Sequence, residues 1–312
     1  MKNKPHPETN RDILISFVIP IYNSSQYIEK TISSITKSMK NRNDYEIILI
    51  DDCSSDIEII KLAIKNKINI KLIEKEVKSN ASESRNIGIC HSLGEFIFLL
   101  DSDDKILEGY IEHRIRKHKE NSYGICFGNF LHNNKNQDVK EYLTEDFKKY
   151  LFIDKGDIRS STISIYKKKY KGTLFDENQD KHQDWGFGIN AYKNNENIGF
   201  DKKPLVIIDS KENEYRMSNS MNILASKYFI DNFELRANEI CMFVRRHALL
   251  AIESSETESA TFLKDKLKDN IYSMDIKYKT LSILYYLILC VPKGVAMKLL
   301  TMRAFLKNTV KL

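Results

Sequence analysis

Apolar and polar positions in the first third of the chain follow two alternating patterns. Short, nearly unbroken apolar runs, typical of strands buried on both faces of a parallel sheet, occupy residues 14–22, 45–51, 68–74 and 95–101. The segments between them, at residues 22–39, 57–66 and 79–93, carry the pattern of helices. Strands that alternate with helices predict a mostly parallel α/β sheet with helices on its faces.

Local signals predict where these helices begin and end. Ser24 or Ser25 is placed to cap the first helix. Gly94 gives the usual glycine signal for the end of the helix over residues 79–93. A further helix is expected to start near Ile106.

After residue 120 the pattern is less regular. Strands are predicted at residues 123–131, 159–170 and 204–210, and residues 178–194 begin as a loop and continue as a helix. Long helical patterns follow residue 220. The chain therefore begins as an α/β protein and ends as a helical one.

Composition indicates a folded globular protein with an anionic partner. Of the 312 residues, 42% are hydrophobic and 29% charged, and the net charge is +6. From Val291 onward the chain carries five basic residues and no acid, which suggests an anionic surface as partner. The basic residues do not interleave with aromatic ones in a nucleic-acid motif, so no nucleic-acid partner is expected.

Cysteine usage and the two ends of the chain favour a cytoplasmic protein. The five cysteines are odd in number and never form a C-x-x-C pair, which favours a reducing compartment and argues against zinc. The N-terminal residues MKNKPHPETNRD contain no apolar stretch that would act as a secretory signal. The apolar run at residues 281–291 is too short to span a bilayer.

Acidic and aromatic side chains follow the predicted strands at the point where each strand ends. These strand ends carry Pro20 to Tyr22, Asp51 with Asp52, and Asp101 to Asp104. In parallel sheets, ligands bind beyond the carboxyl ends of the strands. The run DSDD at 101–104 has two interpretations: a site for Mg²⁺ or Mn²⁺ that serves a phosphate-bearing substrate, or a solvated turn that caps the next helix.

Three segments in this order resemble the nucleotide-sugar half of the family 2 glycosyltransferases, which have the GT-A fold. They are ISFVIPIYNSSQYIEKTISSI, YEIILIDDCSSD and SESRNIGICHSLGEFIFLLDSDD, and HQDW near residue 184 continues the resemblance. The resemblance implies a GT-A type, Rossmann-like mixed and mostly parallel sheet flanked by helices. It implies a catalytic domain over residues 11–215, divided into a nucleotide-sugar half at about 11–110 and an acceptor half at about 111–215. A mainly helical C-terminal region would occupy residues 216–312.

The resemblance also implies a donor site. The residues that it assigns to nucleotide-sugar binding are Pro20, Tyr22, Asp52, Arg85, Asn86, Asp101, Ser102, Asp103 and Arg216. Tyr22 would line the nucleobase pocket, Asp52 would accept a hydrogen bond from the base, and Asp103 would hold the Mn²⁺ or Mg²⁺ ion that bridges the diphosphate. From the residues alone, Tyr22 is equally an ordinary strand-end aromatic and Asp52 equally an N-cap.

On the acceptor side, the resemblance maps the catalytic base to Asp184 and a sugar-stacking role to Trp185. A core aromatic that anchors the helix is an equal alternative for Trp185. The chain departs from the family pattern at Cys53, where glycine is common, at Asn80, where glycine is again frequent, and at Ser218, where many relatives have histidine. The departures at Cys53 and Asn80 leave the exact conformations of these two loops open.

The leading hypothesis is an inverting, metal-dependent glycosyltransferase that moves a sugar from a nucleotide-sugar donor, expected to be a UDP-sugar, to a glycan or lipid-linked saccharide of a lipopolysaccharide or capsule. The alternatives are a nucleotide-sugar or glycan-binding protein without activity, and a nucleotidyltransferase. The latter needs a Gly-rich basic loop after the first strand, which PIYNSSQYIEK does not contain. The C-terminal region is either an interfacial helix at the cytoplasmic face of the inner membrane or a helix packed on the catalytic domain.

Overall fold

The computed structural model describes residues 12–143, 146–208, 221–253 and 257–300. Arg216 and Ser218 lie outside these described residues, as do the residues after Leu300. The described residues form two compact units. One falls within Met1–Glu141, Ile158–Asn178 and Asn190–Glu212, and the other within Tyr142–Asp157, Gln179–Ile189 and Asn213–Leu312. The domain boundary expected after residue 215 stays a prediction.

The first unit is built on two sheets. Its strands are β1 (Ile15–Ile21), β2 (Tyr45–Asp51), β3 (Ile70–Glu74), β4 (Phe96–Leu99), β5 (Lys105–Ile106), β6 (Ile125–Gly128), β7 (Leu131–His132), β8 (Lys135–Asn136), β9 (Ser164–Tyr166), β10 (Ile198–Asp201) and β11 (Val206–Ile208). Seven strands form the main sheet in the order β10-β6-β9-β4-β1-β2-β3, and four form a small sheet in the order β5-β11-β7-β8. In the main sheet only β9 runs antiparallel to its neighbours. This confirms the predicted mixed, mostly parallel sheet.

Helices accompany the strands of the first unit and make up most of the second. They are α1 (Ile28–Met39), α2 (Ile57–Ile64), α3 (Ala81–His91), α4 (Tyr110–Asn121), α5 (Gln183–Lys193), α6 (Ile223–Asn232), α7 (Ala237–Glu253), α8 (Thr257–Asn270) and α9 (Ile276–Cys290). Residues 293–300 are helical as well. The helical C-terminal region is thereby confirmed over the described residues.

The core of the first unit lies along β1, β2 and β4. Every residue of β2 is buried, which is why its centre, Ile47 to Ile50, is an unbroken apolar run. On β1, the Phe17 ring stacks on Phe98 of β4 with their centroids 5.6 Å apart. The Phe98 ring meets Tyr110 of α4 edge-on at 5.5 Å. This packing fixes the strand ends that carry the acidic residues.

The expected glycine stop at Gly94 is wrong. Helix α3 ends at His91, and Ser92 is already extended at its C-cap. Gly94 instead lies against the backbone of β1, where an added Cβ would stand 2.6 Å from the Ser16 nitrogen. Glycine is required there because the two backbones approach closely.

Two expectations about helix starts are also wrong. No serine caps α1: Tyr27 occupies the N-cap, and its side chain does not cap the helix. The Ser24 hydroxyl instead accepts from the Tyr22 nitrogen at 3.2 Å. Ile106 belongs to β5, which pairs with β11, and α4 begins only at Tyr110, after Gly109 with φ +81°. The DSDD run is therefore not a cap for a following helix.

The predicted strands in the middle of the chain are shorter than expected. In the range 159–170 only Ser164–Tyr166 form a strand, and a 3-10 turn over Ser160–Thr162 precedes it. The range 123–131 is split between β6 and β7. Within the described residues, no helix is long and apolar enough to cross a membrane.

Candidate active site

The carboxyl ends of β1, β2 and β4 bring the predicted donor residues to one edge of the main sheet. Because these strands are parallel, Ile21 pairs with Asp51, and Val18 pairs with Leu99 two residues before Asp101. Pro20, near the end of β1, is half-buried. Tyr22 follows β1 with 47% of its surface exposed, and the Lys78 ammonium lies 3.7 Å from its ring centroid. An accessible aromatic face thus stands at this edge.

Asp52 is buried and held in place from one side. Its Oδ1 accepts hydrogen bonds from Lys75 Nζ at 2.7 Å and from the Ser79 nitrogen at 2.8 Å. Lys75 also reaches Glu83 Oε2 at 2.8 Å. Burial lowers the pKa of Lys75, but its hydrogen bonds to Asp52 and Glu83 outweigh this and raise the pKa overall. The hydrogen bond to Lys75 in turn lowers the pKa of Glu83.

Cys53 takes the backbone conformation that glycine would adopt freely. Its φ is +62°, in the left-handed region. The thiol donates to the Lys75 carbonyl oxygen at 3.3 Å. The chain therefore keeps a glycine-like turn after β2 although the residue is cysteine.

The DSDD run forms a turn that side chains hold from several directions. Thr31 Oγ1 donates to the carbonyl oxygens of Ser102 and Asp104 at 2.8 and 2.9 Å. Ser161 Oγ accepts from the Asp101 nitrogen at 3.0 Å and donates to Asp104 Oδ2 at 2.5 Å. Asp104 is buried, so its carboxylate belongs to the scaffold of the turn.

The other polar side chains of the turn stay partly accessible. Asp101 has 40% of its side chain exposed and accepts a hydrogen bond from Arg85 Nη2 at 2.7 Å. The Arg85 guanidinium lies 5.3 Å from the Phe175 ring centroid. Ser102 Oγ lies 2.9 Å from Ser24 Oγ, and Asp103 is half-buried. Asp101 and Asp103 thus lie, partly accessible, at the sheet edge where a ligand would bind.

Asn86 uses its amide to hold a distant segment of the chain. Its Oδ1 accepts from the Phe175 nitrogen at 2.9 Å, and its Nδ2 donates to the Phe175 carbonyl at 2.9 Å and to Glu177 Oε1 at 2.8 Å. Asn80, the N-cap of α3, accepts from the nitrogens of Ser82 and Glu83 and donates to the Glu177 carbonyl at 2.7 Å. Helix α3 therefore fixes residues 175–177 from both of these asparagines.

The oxygen donors at this edge fit a hard divalent cation that shares its ligands with a substrate. Among the described residues, no group of three or more His, Cys, Asp or Glu side chains could hold a metal ion. Mg²⁺ commonly takes one or two protein carboxylates and fills its remaining positions with phosphate oxygens and water. The half-buried Asp103 carboxylate suits that role, with the nearby Asp101 carboxylate as a second oxygen donor.

The predicted acceptor-side residues begin α5, in the second unit. Asp184 lies in the first turn of α5 and is half-buried. Trp185 Nε1 donates to Asp157 Oδ1 at 3.3 Å, and its ring stacks on His182 with centroids 5.0 Å apart. The Trp185 ring also meets Phe152 edge-on at 5.5 Å. Trp185 therefore takes part in the aromatic core of the second unit.

His182 is a neutral member of this aromatic cluster. Burial, with the neighbouring His247 and Lys181, holds its pKa well below the usual value of 6.5. Its Nε2 lies 3.2 Å from Ser226 Oγ. Burial also lowers the pKa of His247 to about 4. The contacts of this aromatic cluster with Trp185 hold the first turn of α5 in place.

The comparison with protein families decides the chain's membership. The model described as Glycosyl transferase family 2 matches residues 16–188, more than half of the chain. The chain belongs to this family. That confirms the predicted family and argues against the nucleotidyltransferase alternative.

Several known relatives support this family assignment. The chain is 28% identical over 226 residues to the poly(ribitol-phosphate) beta-N-acetylglucosaminyltransferase TarP of Staphylococcus aureus, covering 67% of this chain and 66% of TarP. It is 30% identical over 202 residues to the amylovoran biosynthesis glycosyltransferase AmsB of Erwinia amylovora, covering 59% of this chain and 65% of AmsB. In both, the matched segment spans less than two thirds of the relative's own length.

A solved structure confirms the predicted GT-A fold class. The crystal structure of Staphylococcus aureus TarS 1–349 in complex with UDP-GlcNAc superposes with a TM-score of 0.62 at 20% identity, covering 89% of this chain and 90% of that chain. At this level of identity the likeness shows the fold alone. In that fold, the edge described here lies at the carboxyl ends of β1, β2 and β4.

Sequence reasoning missed several residues of this edge. Lys75, Glu83, Ser161 and Phe175 hold Asp52, the DSDD turn and Arg85. Of these four residues, Lys75 could have been found from the sequence, because it directly follows the predicted strand at residues 68–74 and so lies at the same edge of the sheet. Ser161 and Phe175 reach the edge only through the tertiary fold.

Proposed function

We propose that this protein is an inverting glycosyltransferase that moves a sugar from a UDP-sugar donor to a glycan or lipid-linked saccharide of a cell-surface polysaccharide. The observation that carries the proposal is the joint placement of an exposed Tyr22 ring, an anchored Asp52 and the DSDD turn at one sheet edge in a family 2 chain. Three relatives support this proposal by the activities in their names: TarP, AmsB and the Escherichia coli UDP-Glc:alpha-D-GlcNAc-diphosphoundecaprenol beta-1,3-glucosyltransferase WfgD, which is 31% identical over 132 residues.

In this proposal, the first unit binds the donor. The nucleobase stacks on Tyr22 and takes the place of the Lys78 ammonium over that ring. A base N–H donates to Asp52, whose Oδ1 is already held by Lys75 and Ser79. Uracil fits because its ring N–H needs an acceptor. Asp101, oriented by Arg85, accepts from a ribose hydroxyl.

A divalent cation, Mn²⁺ or Mg²⁺, belongs to this proposal. Asp103 would hold it, with Asp101 close by. When bound, the cation neutralises charge that develops on the leaving diphosphate. Arg216, outside the described residues, is proposed to contact the same phosphate oxygens.

Asp184 is proposed as the general base. The acceptor hydroxyl oxygen forms a bond to the anomeric carbon, and the bond from that carbon to the diphosphate oxygen breaks with its electron pair on UDP. Asp184 takes the hydroxyl proton. Attack from the face opposite the leaving group inverts the anomeric configuration. Trp185 is proposed to contribute to the acceptor sugar site.

The first test is protection against thermal unfolding by a panel of nucleotide sugars, with and without Mn²⁺. We expect one UDP-sugar to stabilise the wild type only with the metal, and Asp103→Ala to lose that response. Asp184→Asn should keep the stabilisation but lose transfer by roughly 10²- to 10⁴-fold. Asp269→Asn, an exposed acid on α8, is the matched control and should change neither.

Each contrary outcome has a specific meaning. If a nucleotide sugar stabilises the protein equally with and without Mn²⁺, and equally in the wild type and in Asp103→Ala, the metal-bridged donor site is contradicted. Stabilisation without any transfer from the wild type to glycan or lipid-linked acceptors favours a nucleotide-sugar-binding protein without activity. No response to any nucleotide sugar overturns the donor site itself.

A further inference from the structure

Helix α9 is apolar on two opposite sides. Its buried side, which includes Tyr285, Ile288 and Leu289, packs within the second unit. The other side is also apolar but is exposed. We call this the α9 outer face; its members are Ile276, Ile283, Leu284 and Leu287, with 81%, 51%, 40% and 57% of their surfaces exposed. An apolar helix side of this kind normally has a partner.

Helical spacing makes the α9 outer face continuous. Ile276, Ile283 and Leu287 follow the i, i+7, i+11 spacing that places side chains on one side of a helix. By the same geometry, Lys277 lies on one flank of this face and Lys279 on the other. Lys277 is exposed and Lys279 is half-buried.

The helical residues 293–300 continue this chemistry. Val295 and Leu299 are exposed by 48% and 41%. Lys293 and Lys298 are also exposed. From Ile276 to Leu300 the sequence contains four lysines and no acidic residue. An apolar helix face whose own charged neighbours from Ile276 to Leu300 are all lysines is suited to an anionic surface with an apolar interior.

We propose that the α9 outer face rests on an anionic lipid bilayer, with α9 lying in the plane of the interface. The apolar side chains would enter the boundary between headgroups and acyl chains, while the flanking lysines contact anionic headgroups. With 15 residues, α9 is too short to span a bilayer, which leaves a position along the surface.

Charge favours a bilayer over a second copy of this chain. A two-fold contact would place the same face, with Lys277 and Lys279, on both copies. Because residues 276–300 contain no acidic side chain, this segment brings only positive charge to such a contact from both copies. A bilayer with anionic lipids supplies the missing negative charge.

The test is flotation of the full chain with vesicles of phosphatidylethanolamine and phosphatidylglycerol in equal parts, beside vesicles of phosphatidylcholine alone. We expect binding to the former to exceed binding to the latter and to fall as salt is added. Ile283→Ser with Leu287→Ser should weaken binding by roughly tenfold or more. Lys277→Gln with Lys279→Gln should weaken it by roughly tenfold.

Matched controls distinguish binding through the α9 outer face from non-specific adsorption and from effects on the donor site. Leu224→Ser removes an apolar side chain that is 80% exposed on α6, and Lys268→Gln removes an exposed charge on α8; both should keep vesicle binding. Vesicle binding is measured without nucleotide, so it stands apart from the proposed function. All variants should keep their thermal response to nucleotide sugars.

Three results would overturn the proposal. The wild type fails to float with the anionic vesicles, or the double serine variant binds them as well as the wild type does. The third is a stable dimer in light scattering that the serine pair disrupts, which would assign the face to a second copy.

Discussion

Lys75 Nζ donates to Asp52 Oδ1 over 2.7 Å, and the Ser79 nitrogen donates to the same oxygen over 2.8 Å. Both groups are largely buried, with 6% and 10% of their side chains exposed. The raised pKa of Lys75 keeps its ammonium charged at neutral pH. Lys75 thus orients the carboxylate that is proposed to accept the base N–H.

Lys75→Met should weaken UDP binding by about 10- to 100-fold, because Asp52 loses a charged hydrogen-bond partner. The preference for UDP over CDP should also shrink, since a loosened carboxylate discriminates less well between a ring N–H and a bare ring nitrogen. Calorimetric titration with both nucleotides measures this, and Lys75→Arg should restore part of the preference. Lys78→Met, the neighbouring lysine over Tyr22, should leave the preference intact. An unchanged UDP-to-CDP ratio in Lys75→Met would contradict this role.

Asn86→Asp should destabilise the protein more than Asn86→Ala. The substitution turns a donor toward the Phe175 carbonyl and the Glu177 carboxylate into a second negative acceptor. The expected loss at neutral pH is about 3 kcal/mol in the free energy of unfolding, measured in urea. The gap between the two variants should narrow near pH 4, where the introduced carboxyl can be protonated and donate. Equal stability of the two variants at pH 7 would argue against the bonding assigned to this amide.

Asp201→Asn should cost about 3–5 kcal/mol because it leaves the buried Arg114 guanidinium without its counter-charge. Arg114 Nε lies 3.3 Å from Asp201 Oδ2, and both side chains are 1% exposed. Burial raises the pKa of Asp201, but the Arg114 charge and further hydrogen bonds outweigh this and lower the pKa overall. Urea unfolding is the measurement. Glu108→Gln, which breaks an exposed ion pair with Lys40, should leave the midpoint unchanged.

Acidification should destabilise the fold before the carboxylates titrate. Burial lowers the pKa of His118 and of His247 to about 4, against 6.5 for the free side chain. Between these values the unfolded chain binds one more proton per histidine, so stability is present above pH 6.5 and is lost as the pH falls toward 4. The slope is about 1.4 kcal/mol per pH unit for each histidine.

His247→Phe tests this pH dependence. It should flatten the decline in unfolding free energy between about pH 6.5 and pH 5, because the proton-binding difference of His247 disappears while those of His118 and His182 remain. His91→Gln alters an exposed histidine and should keep the wild-type slope. A slope that is the same in His247→Phe and in the wild type would mean that His247 is not held neutral in the fold.

Sequence patterns predicted the centre of the main sheet because its strands are buried on both faces. The runs at β1, β2 and β4 are mostly apolar, and such runs carry a clear signal. The two-residue strands β5 and β8 are too short for any periodicity. Gly94 shows a different limit, since a glycine that ends a helix and one that admits a neighbouring backbone look alike in sequence.

The candidate donor site was partly predictable for the same reason. Parallel strands end at one edge, so Tyr22, Asp52 and Asp101 were expected to lie together there. Their supports come from remote parts of the chain: Ser161 fixes the DSDD turn, and Phe175 lies beside Arg85. Only the tertiary fold brings such partners together, and no pattern in a single sequence identifies which residues will pair.

The position of β9 has a consequence for synthesis of the protein. This three-residue strand fills the place between β4 and β6, and both neighbours use it as their hydrogen-bonding partner. A ribosome therefore releases β1 to β6 while the edge of β4 that faces β9 is still unpaired. The gap between β4 and β6 is filled only after residue 166 emerges. Truncated chains that stop before this point would expose a strand edge that invites aggregation.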